Sequence, residues 1–249
     1  MKYIEKFLQS KIKRGINMRN IINLLKYNFG RYHTSKSVIF YVIGIIVLLF
    51  NSMGLFIKLP IAAQIISVLN MSFIVTFLAA TFIWSIIRFK SQISKEKGRL
   101  IFTSPIKSHE FMIAKIIEFI IIQGIIVFLA NIVSLISRND FMNLISTTSI
   151  AVMIGTTVGY ITIICFITIF LSYIKNTALC VLAVIFGVGI IQVLIESVIN
   201  VIVSFFPYIY IKFGTFFSID IIYSVINLIW LVFLVWLSIY HLDKKLDII

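Results

Sequence analysis

Residues 177–203 read TALCVLAVIFGVGIIQVLIESVINVIV, and only Glu196 in that run carries a formal charge. As a helix the run extends about 40 Å, more than the ~30 Å hydrocarbon thickness of a bilayer. A core helix of a soluble domain has no use for so long an apolar stretch. The run reads as a membrane span.

Five more runs pass the same test: 37–57, 62–87, 111–137, 144–173 and 219–240. The composition agrees. Of 249 residues, 61% are hydrophobic and 12% charged, about half the charge of a soluble domain. Mean hydropathy is +1.10. Three Pro, eleven Gly and two Cys exclude disordered, collagenous and disulfide-scaffold chains. The first run is too long for a signal peptide and lacks a small-residue cleavage site. The expected fold is an all-α polytopic membrane protein with six transmembrane helices in 37–240. A segment 1–36 precedes them and a tail 241–249 follows.

Charge sets the orientation. All but three of the 22 Lys and Arg residues fall on one side of this layout, the exceptions being Lys58, Arg138 and Lys212. The positive-inside rule places that side, and with it both termini, in the cytoplasm. An odd number of spans would destroy the alternation. The net charge of +13 therefore reads as topology and contact with anionic lipid, not as nucleic-acid binding.

Before the first span, Ile21, Ile22, Leu24, Leu25, Phe29 and Tyr32 cluster on one helical face. Arg19, Asn23, Lys26 and Arg31 lie opposite, and Asn28 is the one polar residue on the apolar side. This is an amphipathic helix in the cytoplasmic interface, read either as an anchor or as an elbow that touches a partner. A start at Met18 is an alternative to Met1, because Lys13-Arg14-Gly15 can be encoded by a ribosome-binding-like stretch. An intact mass decides between them.

The longest cytoplasmic connection, 91–110, contains Ser94-Lys95-Glu96-Lys97-Gly98-Arg99-Leu100-Ile101-Phe102-Thr103-Ser104-Pro105. A short helix near 92–102 is expected, stopped by Pro105. Ser108 is the expected N-cap of the next span, with Glu110 in its first turn. The string Glu96-x-Gly98-Arg99-Leu100-Ile101-Phe102-x-x-Pro105, followed by Lys115 inside the next helix, resembles the ABC-2-type permeases of ABC exporters. The layout of interfacial helix, six spans and cytoplasmic loop between spans two and three is similar to theirs along nearly the whole chain. The resemblance implies that Glu96, Gly98, Arg99, Leu100 and Phe102 form a coupling segment seated on a separate ABC ATPase subunit. It also implies two ATPase copies and a second permease, identical or sister, in a bacterial-type plasma membrane. The chain has no G-x-x-x-x-G-K-[ST] loop, so ATP and Mg belong to the partner and no cofactor is expected here. The other reading of the loop is a basic segment held near anionic lipid.

Polar residues inside spans are the remaining candidates. Gln192, Glu196 and Asn200 stand at i, i+4 and i+8 on one helix face. A charge in the bilayer core costs about 2.5–3.5 kcal/mol on insertion scales. The three read either as a polar wall of the export path or as an outer, wetted packing patch. Lys115 and Glu118 are an i, i+3 pair. Gln123 and Asn131 read as packing contacts. Most of Thr147, Thr148, Thr156, Thr157, Thr162 and Thr168 are expected to bond their own backbone carbonyls. Gly155 and Gly159 are expected to admit a neighbouring helix closely. The aromatic stretch 204–218 reads either as an outer lid, built in ABC-2-type permeases from short re-entrant helices, or as an aromatic belt. Cys165 and Cys180 read as packing residues. No two of His33, His109 and His241 have metal-ligand spacing, and no carboxylate pair is placed for acid–base work.

The functional expectation is the non-enzymatic permease of an ATP-driven exporter of an amphipathic peptide, drug or lipid-like cargo. The expected cargo includes antimicrobial peptides, and such a permease would protect its host against a bacteriocin-like peptide. The alternatives are a secondary transporter or channel, and a non-transporting immunity or scaffold protein.

Overall fold

The computed structural model describes residues 18–30, 42, 44–46, 60–93, 107–138, 147–174, 176–205, 210–213 and 217–244. Its elements are α1 (Met18–Gly30), α2 (Pro60–Ile93), α3 (Ser108–Arg138), α4 (Thr147–Leu171), α5 (Thr177–Phe205), β1 (Tyr210–Phe213), β2 (Phe217–Asp220) and α6 (Ile221–Lys244). The helices α2 to α6 are each long and apolar enough to cross a membrane. The chain is thus a polytopic, largely helical membrane protein. The first expected span, 37–57, lies outside the described residues except for Val42, Gly44, Ile45 and Ile46, which are helical. Gly44 lies so close to α2 that an added Cβ would fall 2.2 Å from the Phe77 ring.

The five crossing helices alternate in direction. One end of the bundle gathers the end of α2, the start of α3, the end of α4, the start of α5 and the end of α6. It carries Arg88, Lys90, Lys115 and Lys244 and is called the basic end below. The helix α2 runs six residues past its expected stop, to Ile93, and takes in Arg88 and Gln92. The loop is correspondingly shorter than 91–110, since its first three residues belong to α2 and its last three to α3.

Capping residues fix two starts. Lys107, not Ser108, is the N-cap of α3. Glu110 reaches back to accept the Lys107 backbone N–H at 3.2 Å, as in the carboxylate half of a capping box. Asp220 caps α6, its Oδ1 accepting from the Ile222 and Tyr223 amides at 2.9 and 3.3 Å. The sixth span therefore begins at Ile221, two residues later than expected, and Ile219 sits in a strand. That strand belongs to a departure from the all-helical expectation. β1 and β2 pair antiparallel, Tyr210 opposite Asp220 and Phe213 opposite Phe217. The described residues 210–213 and 217–218 of this stretch are paired strands rather than re-entrant helix, in keeping with their aromatic and Ile-containing sequence.

Helices gain no hydrophobic drive by leaving lipid for each other, so packing and hydrogen bonds must join them. The helix α4 is the hub, touching α6, α5, α2 and α3. Its Tyr160 stacks on Phe119 of α3 with centroids 4.0 Å apart and planes 6° from parallel. Phe82 of α2 meets both rings edge-on, at 5.9 and 6.4 Å. Phe89, Phe111, Met112, Ile164 and Leu234 continue this core, with Cys165 and Cys180 buried in it as free thiols. Thr156, Thr162 and Thr168 each donate to the carbonyl four residues back, as expected. The glycine expectation needs correcting. A Cβ on Gly155 would meet nothing, and one on Gly159 would come no nearer than 3.9 Å to Phe82. The close approach between α4 and α5 is at Gly187, where a Cβ would lie 3.0 Å from the Phe170 ring.

Candidate functional site

The site is a polar knot buried among apolar helices at the basic end. It starts from α1. Ile21 and Leu24 of α1 pack on Ala114 of α3, with Leu25, Ile113 and Ile117 around them. The amphipathic helix is therefore docked on α3 by its apolar face. The same face carries Asn28, one turn beyond Leu24 and 2% exposed.

Asn28 makes three contacts with three residues. Its Nδ2 donates to Glu118 Oε2 at 3.0 Å. Its Oδ1 accepts from Gln92 Nε2 at 3.3 Å. Its backbone carbonyl accepts from Arg88 Nη2 at 2.7 Å. That carbonyl is among the last four of α1, which have no intrahelical donor. Arg88, from a different helix, therefore acts as part of the C-terminal cap of α1.

Glu118 is the centre of the knot. Arg88 Nη1 lies 2.8 Å from its Oε1 and Lys115 Nζ lies 2.6 Å from its Oε2, so the carboxylate accepts from α1, α2 and α3. The Arg88 and Glu118 side chains are 12% and 6% exposed. Charged hydrogen bonds of this kind are about twice as strong as neutral ones. The expected Lys115–Glu118 pair is present, and it is one part of a larger assembly. Two cations meet one carboxylate here, and Arg88 Nε and Gln92 Oε1 are buried without a partner among the described residues. A gap of about 10 Å³, room for one water, lies beside Arg88, lined by Trp84, Ser85, Lys115, Glu118 and Tyr160 among others.

Two further bonds extend the tie. Asn20 Nδ2 donates to Glu110 Oε2 at 2.9 Å, fastening the start of α1 to the start of α3. Deeper in the bundle, Gln123 Nε2 donates to Thr81 Oγ1 at 3.2 Å, joining α3 to α2. The arrangement contains no nucleophile next to a base. Its chemistry is that of a saturated carboxylate holding three helices in one register.

The sequence-derived candidates fall elsewhere. Glu96, Gly98, Arg99, Leu100 and Phe102 lie outside the described residues, in the connection between α2 and α3 that begins at the knot. Gln192, Glu196 and Asn200 are exposed on α5, with Gln192 Nε2 donating to Glu196 Oε1 at 3.4 Å. They do not meet the knot. Arg88 and Gln92 were missed as site residues, because a cation ending an apolar run reads as a headgroup contact. The available signal was Asn28, a polar residue on an apolar face that needed a partner. At the other side of the basic end His241 Nδ1 lies 3.1 Å from Ser172 Oγ. Among the described residues no three His, Cys, Asp or Glu side chains converge as metal ligands.

Compared with protein-family models, with curated proteins and with solved structures, the chain matches none. What the fold and the site define is a multi-pass helical membrane protein, of an architecture consistent with membrane transport in general.

Proposed function

We propose that the chain is the permease subunit of an ATP-driven exporter of ABC-2 type. ATP and Mg would be bound by a separate ABC ATPase, in two copies, and this chain would hydrolyse nothing. The observation that carries the reading is the three-helix tie at Glu118. The helices α2 and α3 flank residues 94–106, and α1 is fastened to both of them by Asn28. A push on that loop, at Glu96 to Phe102, would move the three helices as one piece. A mere lipid-facing loop has no need of this joint. The positive-inside rule puts the basic end on the ATP side. Moving the piece would open a path to the outside for an amphipathic peptide, drug or lipid-like cargo, with a second permease completing the path.

The test is purification from native membranes in mild detergent, with mass spectrometry of what accompanies the chain. A stoichiometric ATPase is expected, its recovery falling about tenfold in Glu96→Lys, the loss of roughly 1.4 kcal/mol of association. A chain that emerges without an ATPase even after cross-linking contradicts the reading. An ion-driven carrier is the second reading, favoured by Glu196, a carboxylate within a span and outside the knot. Transport that survives ATP depletion and stops with an uncoupler selects it.

A further inference from the structure

The residues Gly189, Gln192, Glu196 and Asn200 follow one another at intervals of three, four and four. At 100° per residue they lie within about 80° of one another on α5. Val193 and Ile185 flank them. The buried side of α5 is elsewhere: Cys180 and Val184 face the core, and Gly187 abuts Phe170. The ladder therefore points out of the bundle. Gln192, Glu196 and Asn200 are all exposed, and a Cβ on Gly189 would meet nothing within 4 Å.

Depth makes this exposure costly. Glu196 is about 7 Å from the midpoint of the span Ala178–Phe205, well inside the ~15 Å half-thickness of the hydrocarbon. Acyl chains offer it no donor. Among the described residues it has one long hydrogen bond, to Gln192. Exposed polar groups at this depth face protein or water.

We propose that this face of α5 is the contact surface for a second copy of the chain, where the two polar ladders meet. The ladder is self-complementary. One carboxylate acceptor stands between two amide donors, Gln192 and Asn200, each one turn away. Two copies related by a two-fold axis along the membrane normal bring their α5 helices together in parallel. Equivalent residues then stand level, and the Gln192 and Asn200 amides of one copy, a turn to either side, reach diagonally across to the Glu196 carboxylate of the other. Gly189 leaves room for close approach. No other sequence is needed to satisfy the face, so an identical chain is its occupant. The inference names the second permease of the exporter reading, on which its functional meaning rests.

Cysteine cross-linking in unextracted membranes tests it, with Cys165→Ala and Cys180→Ala as background. On oxidation, Gly189→Cys should give a species of twice the chain's mass. Val232→Cys, on the exposed face of α6, should give about tenfold less, because a disulfide needs Cα atoms within about 7 Å. No dimer at Gly189→Cys, or a mixed disulfide with a different protein, overturns the proposal. The unmodified chain in lipid nanodiscs gives an answer that depends on no variant: two copies by native mass spectrometry are expected, and one copy overturns it. The two ideas fail separately. A co-purifying ATPase with a mixed disulfide spares the exporter reading and ends this one. A homodimer without an ATPase does the reverse.

Discussion

Glu118 and Glu196 are both carboxylates within apolar helices, and their surroundings are opposite. Glu118 accepts from Arg88, Lys115 and Asn28, and its side chain is 6% exposed. Glu196 has one 3.4 Å contact with its own helix neighbour and faces outward. The first is a finished internal joint, while the second is half of something. The difference shows that a charge in a membrane helix is explained by where its partners come from. For Glu118 they come from within the chain, and for Glu196 they must come from outside it.

Breaking the joint should have the largest effect. Glu118→Gln leaves Arg88 and Lys115 without a counter-charge in a buried place. The expected loss is about 3–5 kcal/mol of stability, read from thermal or SDS unfolding in detergent. A loss below about 1 kcal/mol, within the range of exposed pairs, would erase the contrast between the two carboxylates. Next comes Asn28→Ala, which strands the Gln92 amide and removes one donor from Glu118. About 1–3 kcal/mol is expected, by the same measurement.

The two sides of α5 sharpen the comparison further. Within a single chain, measured as the detergent-separated monomer, Gly187→Ala crowds Phe170 and Phe166, whereas Gly189→Ala meets nothing. Both gain the same helix propensity, so their difference isolates the crowding. Gly187→Ala should be less stable by about 1–3 kcal/mol. Equal stabilities would mean that α5 does not pack as described. The smallest effect belongs to Glu196→Gln, which keeps a hydrogen-bonding side chain on an outward face. In the detergent-separated monomer its unfolding midpoint should match that of the unmodified chain. A drop comparable to that of Glu118→Gln would place Glu196 inside the bundle.

The sequence makes the spans legible because length and apolarity are local properties. Five of the six runs correspond to helices long and apolar enough to cross a membrane. The Lys115–Glu118 pair, the buried Cys165 and Cys180 and the threonine back-bonds also follow from local spacing. What escaped is long-range. Arg88 finds Asn28 sixty residues away and Glu118 finds it ninety away, and no periodicity encodes that. The hairpin at Tyr210–Phe213 and Phe217–Asp220 escaped because aromatic-rich sequence suits a headgroup belt as well as a strand. The outward direction of Glu196 escaped for a related reason. Spacing puts Gln192, Glu196 and Asn200 on one face, and only the neighbouring helices say which way that face looks.

The Glu118 joint fastens α1 to the bundle. Amide hydrogen exchange read by mass spectrometry on the unmodified chain and on Glu118→Gln tests it most directly. Peptides covering Met18–Gly30 should lose protection in Glu118→Gln, while those covering Ile221–Lys244 keep theirs. Protection of Met18–Gly30 that is unchanged in the variant would contradict the claim.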